Sequence, residues 1–201
     1  MYDAYNSLVQ VQDGKIIAIR HKSQLVLGVE KVPFPAFMQH LTAFVEWAGG
    51  SIGSLGADTS LVAFRTAGNE TVSSLVCYES VFGAYAASQP ASLITIHTND
   101  GWWGNTLGHR QHFAYARLRA IENQRYVARS AYTGISGIIA PDGSVIEQLA
   151  YETAGTVTAD IPLRHQRTFY SQTGDFIGRW AAFLACLLML YLFVQSRIAK
   201  R

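Results

Sequence analysis

Cys77 is the residue of this 201-residue chain whose type and position point to covalent chemistry. It directly follows the apolar run SSLV, and a nucleophile placed just past a strand end is exposed on a sharp turn. The next backbone N–H then points towards a developing oxyanion. Because a thiol reacts only where a nearby cation or base favours its thiolate, Cys77 alone leaves two alternatives open. It is either a nucleophile for acyl transfer or a buried structural cysteine.

Three charged residues are candidates to assist Cys77. Lys22 lies in the largely apolar stretch RHKSQLVLGVEKVPFP, where a lysine can stabilise an oxyanion and favour a neighbouring thiolate, although a surface lysine fits the same pattern. Glu30, eight residues further on, is placed to orient Lys22. Glu79, two residues after Cys77, either acts on the same site or caps the following helix.

The histidines raise the question of a metal site. His109 and His112 are three residues apart on a predicted helix, and His97 precedes Asp100 in a nearby loop. No second ligand pair has the spacing of a metal site, so we expect no metal or other cofactor and interpret the histidines as hydrogen-bonded structural groups.

A pair of tryptophans, Trp102 and Trp103, lies in the Gly-rich stretch NDGWWGN. Paired tryptophans in an exposed loop are typical of a substrate-binding wall or of a contact with lipid. The alternative is that the loop packs its tryptophans onto its own domain.

Composition excludes some functions. Charged residues make up 15% of the chain and the net charge is +2, too small to indicate nucleic-acid binding without a basic stripe. The second cysteine, Cys186, lies within the apolar C-terminal run, so no disulfide with Cys77 is expected.

The C-terminal run over 176–194 predicts a transmembrane helix. Its 19 residues would extend about 28 Å as a helix, close to the roughly 30 Å hydrocarbon core of a bilayer. Arg179 lies near its start, and Trp180 and Tyr191 suit the two interfaces. A buried core helix is the alternative. The basic tail over 195–201 is expected in the cytoplasm by the positive-inside rule.

The elements that must position these residues follow from turns and periodicity. Asp13-Gly14 predicts a hairpin over 5–19, and Pro141-Asp142-Gly143 predicts a second one from 134–140 to 144–149. Ala114, Leu118 and Ile121 fall on one face of a predicted helix. Helices are expected over 36–48 and 106–129, and further strands over 60–66, 71–78, 91–98 and 155–162.

The order of the segments GVEKVPFP, LVCYES, TNDGWWG, QHFAYARLRAIENQRYVARSAYTG and GIIAPDG resembles that of apolipoprotein N-acyltransferases, membrane members of the nitrilase (carbon–nitrogen hydrolase) superfamily. The resemblance runs from about Tyr5 to Val194. It implies an α+β fold, a nitrilase-like α-β-β-α sandwich truncated at its N-terminus. The implied organisation is a partial catalytic domain over 1–170, a transmembrane helix over 176–194 and a cytoplasmic tail over 195–201.

The resemblance also implies roles. Cys77 would take a fatty acyl chain from a phospholipid as a thioester, Lys22 would stabilise the oxyanion, and Glu30 and Glu79 would match the accessory glutamates. The acyl group would then pass to the diacylglyceryl-cysteine of a lipoprotein. The implied partners are the phospholipid donor, the S-diacylglyceryl lipoprotein and membrane lipid, with no nucleic acid. The implied location is a bacterial inner membrane, with the catalytic domain in the periplasm.

The chain departs from the family pattern in two places. The stretch HKSQLVLGVEKVP stands where the family typically reads DKxHLVPFGEYVP. The family's general-base glutamate lies well upstream of its lysine, and upstream of Lys22 this chain has only Asp3 and Asp13 as carboxylates. We therefore expect the chain to be the C-terminal portion of such an enzyme. The alternatives are a catalytically inactive membrane-anchored fragment and a nitrilase-type amidase, against which the apolar helix and the tryptophans argue.

Overall fold

A computed structural model describes residues 4–31, 55–59 and 62–198. The helix expected over 36–48 lies outside these residues, and so does the start of the strand expected over 60–66.

The N-terminal hairpin forms as the Asp-Gly pair predicts. Strands β1 (Ser7–Gln12) and β2 (Lys15–His21) pair antiparallel. Their turn needs positive φ angles, 50° at Asp13 and 71° at Gly14, which these residue types adopt readily. Strand β2 extends further than expected, so that Arg20 belongs to a strand and not to the following loop.

Within the described part of the chain, the remaining strands form one mixed six-stranded sheet in the order β3-β4-β5-β6-β7-β8. Its centre is parallel, because β4 pairs with β5 and β5 with β6 in the same direction. The second hairpin is confirmed as β7 and β8. The strands are β3 (Phe64–Arg65), β4 (Thr71–Val76), β5 (Leu93–Thr98), β6 (Val127–Ala131), β7 (Ser136–Ile139) and β8 (Val145–Leu149).

Short helical turns follow the two strands that carry the candidate chemistry. Strand β4 leads into a 3₁₀ turn, Cys77–Val81, and then into helix α1 (Gly83–Ala86). Strand β5 leads into a second 3₁₀ turn, Gly101–Trp103. Because carboxyl ends of neighbouring parallel strands meet at one edge of the sheet, Cys77 and the tryptophan loop lie close together.

Helix α2 (Leu107–Asn123) is shorter than the predicted 106–129. Gln124 adopts a left-handed conformation, φ 51°, which ends the helix, and the chain then enters strand β6 beside β5. Helical periodicity continues through this boundary, so pairing with the sheet overrides the local pattern. Residues 120–131 thus combine a helix end, a turn and a strand.

The predicted inner face of helix α2 is also wrong. Leu118 and Ile121 are 45% and 43% exposed, and the helix instead buries a neighbouring face against the sheet. Buried alanine side chains on this face let the helix approach the strands closely. The core is formed by Leu75, Ala86, Ile94, Ile96, Phe113, Ala116, Ala120, Val127 and Ile139.

Beyond the sheet, the strand expected over 155–162 is wrong, since this segment is largely exposed and joins no strand of the described sheet. Its alternating pattern is local, and no strand of the described residues pairs with it. Helix α3 (Phe169–Thr173) packs near α2. Helix α4 (Phe176–Ile198) is long and apolar enough to cross a membrane, and none of its residues is buried.

Candidate active site

Cys77 opens onto a cavity of about 1140 Å³ whose described wall also contains Lys22, Glu30, Trp102 and Trp103. The Cys77 backbone has a φ of 49°, in the left-handed region that a non-glycine residue occupies at a cost of about 1–3 kcal/mol. Its thiol is free and half-buried. The structure thus brings all but one of the predicted site residues to one cavity; the exception, Glu79, lies buried behind it.

Lys22 is almost completely buried, with 1% of its side chain exposed, and among the described residues its ammonium is held by Glu30 alone. Lys22 Nζ lies 2.8 Å and 2.7 Å from the two carboxylate oxygens of Glu30. Its backbone N–H donates to the Asn6 carbonyl, so the hairpin also fixes it. A buried ammonium with a single carboxylate partner keeps donor capacity for a further oxygen atom.

Glu30 is held in place by neutral donors as well as by Lys22. The Val26 N–H donates to Oε2 over 2.8 Å, and the Asn6 side-chain amide donates to Oε1 over 3.0 Å. Burial disfavours the Glu30 carboxylate, but the hydrogen bonds from Lys22, Val26 and Asn6 and the charge of Lys22 together lower its pKa below the usual value. Glu30 is therefore ionised at neutral pH and orients the ammonium.

Glu79 makes contacts that sequence reasoning left open. It is fully buried, and its Oε2 accepts from Arg20 Nη2 over 2.6 Å and from the Val76 N–H over 2.8 Å. Its Oε1 accepts from the Ser23 N–H over 2.7 Å and from Tyr85 Oη over 3.0 Å. Both carboxylate oxygens are thus occupied by donors, one of them cationic.

These contacts tie two segments of the site together. Val76 immediately precedes Cys77, and Ser23 immediately follows Lys22, so the Glu79 carboxylate links the end of β4 to the loop that carries the lysine. Arg20, which balances the charge of Glu79, was missed from the sequence. The sequence feature that could have identified Arg20 is the alternation of side chains along β2, which places Arg20 on the inward face together with Ala18.

The two tryptophans behave differently. Trp102 is 75% exposed at the cavity wall. Trp103 is half-buried, and its ring meets the imidazole of His112 edge-on with 5.2 Å between the centroids. Both residues contribute to the cavity wall, but Trp102 is largely exposed there whereas Trp103 also packs onto its own domain.

The three histidines make separate hydrogen bonds. His97 Nε2 lies 3.2 Å from Thr95 Oγ1, and His109 Nδ1 lies 3.2 Å from the Gly104 carbonyl oxygen. His112 contacts Asp100 directly over 2.8 Å. Arg129, which sequence reasoning did not single out, completes a buried contact with the same carboxylate.

Curated proteins with similar sequences are apolipoprotein N-acyltransferases. The protein of this name from Bradyrhizobium diazoefficiens is 35% identical over 98% of this chain, and the one from Chlorobaculum tepidum is 31% identical over 98%. The chain corresponds to 36% and 38% of these two proteins, so it spans little more than a third of their length.

Solved structures show the same fold at lower identity. Nit3 from Saccharomyces cerevisiae, a member of branch 10 of the nitrilase superfamily, superposes with a TM-score of 0.53 at 20% identity, covering 73% of this chain and 49% of Nit3. The family model for carbon–nitrogen hydrolases matches residues 2–169, which include the whole cavity wall described above. The chain therefore belongs to the carbon–nitrogen hydrolase family.

Proposed function

We propose that this chain carries the nucleophile half of an N-acyltransferase site, which moves a fatty acyl group from a phospholipid to the N-terminal amine of a diacylglyceryl lipoprotein. The observation that carries the proposal is the presence of a free thiol on a left-handed turn and a buried ammonium in the wall of one cavity. The similarity to curated N-acyltransferases supports the choice of substrates over those of an amidase.

In the first half-reaction, the Cys77 thiolate attacks the carbonyl carbon of the phospholipid ester. A C–S bond forms, and the carbonyl oxygen becomes an oxyanion that Lys22 Nζ stabilises together with backbone N–H groups. Collapse of this intermediate breaks the ester C–O bond. The lysophospholipid leaves as an alcohol with the proton released by the thiol, and the acyl group remains on Cys77 as a thioester.

In the second half-reaction, the amine of the lipoprotein attacks the thioester carbonyl. A C–N bond forms and the C–S bond breaks, which regenerates the thiolate. The amine loses one proton to the general base as the amide forms. Lys22 stabilises the same oxyanion position in both steps, so a single cation serves the whole cycle.

Glu30 and Glu79 act in this scheme by positioning. Glu30 orients the Lys22 ammonium, and Glu79 aligns the end of β4 with the Lys22 loop. Each carboxylate accepts a hydrogen bond from a cation, so neither is free to take the thiol proton. The general base is therefore expected from another residue, and Asp13 is a poor candidate because it forms the hairpin turn.

Helix α4 is proposed as the anchor that keeps the cavity beside its lipid substrate. Its length and its exposed apolar surface suit a bilayer span. Arg197 and the basic residues after it favour a cytoplasmic C-terminus, and this supports the proposal that the catalytic domain lies on the periplasmic side of an inner membrane.

A covalent intermediate on Cys77 is the direct test. The protein is isolated from the membranes of the cells that produce it, incubated with phospholipid and digested. We expect mass spectrometry to find the Cys77 peptide heavier by one fatty acyl group, and neutral hydroxylamine to remove that mass because it cleaves thioesters. A free Cys77, or an acyl group on a different residue, would contradict the proposal.

A second sample tests whether the 201-residue chain is catalytically inactive by itself. The 201-residue chain produced by itself and reconstituted in phospholipid vesicles, without the other proteins of those membranes, is expected to acylate Cys77 about 10²–10⁴-fold more slowly, the usual cost of lacking a general base, because neither Glu30 nor Glu79 is free to act as one. Rapid acylation of this chain alone would show that its own residues supply the base.

Trp102 is expected to contact the acyl donor. Replacement of this exposed indole by alanine should raise the KM for phospholipid about tenfold or more while kcat changes little, because a large apolar contact contributes about 1.5–3 kcal/mol. Tyr132→Ala is the matched control, since Tyr132 is 89% exposed and lies outside the cavity wall. Equal changes in KM for the two variants would argue against a specific role of Trp102.

A further inference from the structure

A buried cluster of three side chains lies next to Cys77 and has no part in the scheme above. The Asp100 cluster consists of Asp100, His112 and Arg129, which come from the β5–α2 loop, helix α2 and strand β6, and their residues are 0–3% exposed. Buried charged groups are costly unless they are paired, so a cluster of this kind is expected to serve a purpose beyond packing.

Asp100 is the centre of the cluster. His112 Nδ1 lies 2.8 Å from Oδ1, and Arg129 Nη2 donates to Oδ2 over 2.5 Å. Burial disfavours the Asp100 carboxylate, but the hydrogen bonds and charges of His112 and Arg129 outweigh burial and lower its pKa. Asp100 therefore remains an acceptor for both neighbours and fixes the orientation of the imidazole ring.

The opposite edge of the imidazole faces the nucleophile turn, residues 76–80. His112 Nε2 lies 3.3 Å from the carbonyl oxygen of Cys77 and 3.1 Å from Ser80 Oγ. The Ser80 hydroxyl itself donates to the same carbonyl over 2.8 Å. The Asp100 carboxylate only accepts, so Nδ1 donates to it, and Nε2 at the opposite edge of the ring contacts the Cys77 carbonyl and the Ser80 hydroxyl.

The carbonyl held in this way belongs to the strained residue. Cys77 has a φ of 49°, and a non-glycine residue keeps such a conformation only where its surroundings enforce it. On the N-terminal side, the Val76 N–H is held by Glu79. On the C-terminal side, the Cys77 carbonyl is held by His112 and Ser80, so backbone groups before and after the nucleophile are both anchored by buried side chains.

We propose that His112 is a positioning residue for acyl transfer, which holds Cys77 in its left-handed conformation through the contacts of its Nε2 with the Cys77 carbonyl and the Ser80 hydroxyl. The thiol then faces the cavity that contains Lys22. The proposal deepens the function proposed above, but its central claim concerns the geometry of Cys77. It can therefore be tested without any acyl donor, through the reactivity of the thiol.

Two amide variants separate the two edges of the ring. In His112→Gln the side-chain amide reaches the position of Nε2, so it keeps the contact with Cys77 and Ser80 and loses the contact with Asp100. In His112→Asn the shorter amide reaches the position of Nδ1, so it keeps the contact with Asp100 and loses the contact with Cys77 and Ser80. Both are made with Cys186→Ser, because Cys186 is exposed and would also react.

The measurements are the rate of Cys77 alkylation by iodoacetamide and the free energy of unfolding, on the full chain in detergent micelles. We expect His112→Asn to be the more stable variant and yet to react on the order of tenfold or more slowly, since misplacement of a reacting group by about 1 Å can cost up to 10²-fold in rate. His112→Gln is expected to be less stable and to react at close to the unmodified rate.

The outcome is decided by which of the two variants is alkylated more slowly at Cys77. Reactivity that follows stability, with His112→Gln the slower, would overturn the positioning role and leave His112 as part of the core. Equal rates for both variants and the parent would overturn it as well. Neither result depends on phospholipid, so a failure of acyl transfer in the thioester experiment is distinguishable from a failure of this proposal.

Discussion

Replacement of Lys22 by methionine is expected to slow acylation of Cys77 by about 10²–10³-fold, the usual cost of removing one donor from an oxyanion site. Methionine replaces the apolar stem of lysine and removes the ammonium with its charge and its hydrogen-bond donors. The ammonium is 1% exposed and has Glu30 as its ion-pair partner, so the lost donor cannot be replaced by a mobile neighbour from solvent. The rate of thioester formation in the membrane-isolated protein measures the effect.

Lys31→Met is the matched control for this variant. Lys31 lines the same cavity, but its side chain is exposed, so it contributes only to the general positive field. We expect its replacement to change the rate by less than about threefold at physiological ionic strength, where exposed charges are screened. Similar losses in the two variants would indicate that the cavity needs positive charge and not a donor at one defined position.

Features encoded by local chemistry were predictable from the sequence. The hairpin around Asp13-Gly14 depends on residues that accept positive φ angles, and the partnership of Lys22 with Glu30 follows from their spacing within one loop. Cys77 was placed correctly at the end of β4 because an apolar run stops there. Each of these features involves residues that are close in the sequence.

Features that depend on tertiary pairing were not predictable in the same way. Helical periodicity runs past Gln124 into β6, and only pairing with β5 decides that the segment is a strand. The partner of Glu79 is Arg20, which is 59 residues away, and no local pattern joins the two. The same holds for Arg129 and Asp100, since neither position alone indicates an ion pair.

Glu79→Gln is expected to destabilise the folded chain by about 3–5 kcal/mol, because it leaves the charge of Arg20 buried without a counter-ion. The side chains of both partners are 0% exposed. Chemical unfolding in detergent micelles, followed by tryptophan fluorescence, measures the change. Glu147→Gln, at an exposed position of β8, is the control and should stay within about 0.5 kcal/mol of the parent.

Removal of the cation should restore much of this loss. In the double variant Arg20→Met with Glu79→Gln, no unpaired charge remains, and the glutamine oxygen can still accept from the Ser23 N–H. The free energies of unfolding of the parent, the two single variants and the double variant then give the coupling energy of the Arg20–Glu79 pair. A double variant no more stable than Glu79→Gln would show that the carboxylate matters through its backbone contacts and not through Arg20.

The single variant Glu79→Gln also tells whether Glu79 is a positioning residue or the catalytic base. A general base produces an acidic limb in the pH dependence of kcat/KM, and its replacement by glutamine removes that limb. Both oxygens of Glu79 already accept hydrogen bonds, and the backbone N–H groups of Val76 and Ser23 donate two of these bonds. We therefore expect Glu79→Gln to lower the rate of acyl transfer but to keep the acidic limb at the same pH. A lost limb would identify Glu79 as the proton acceptor for Cys77.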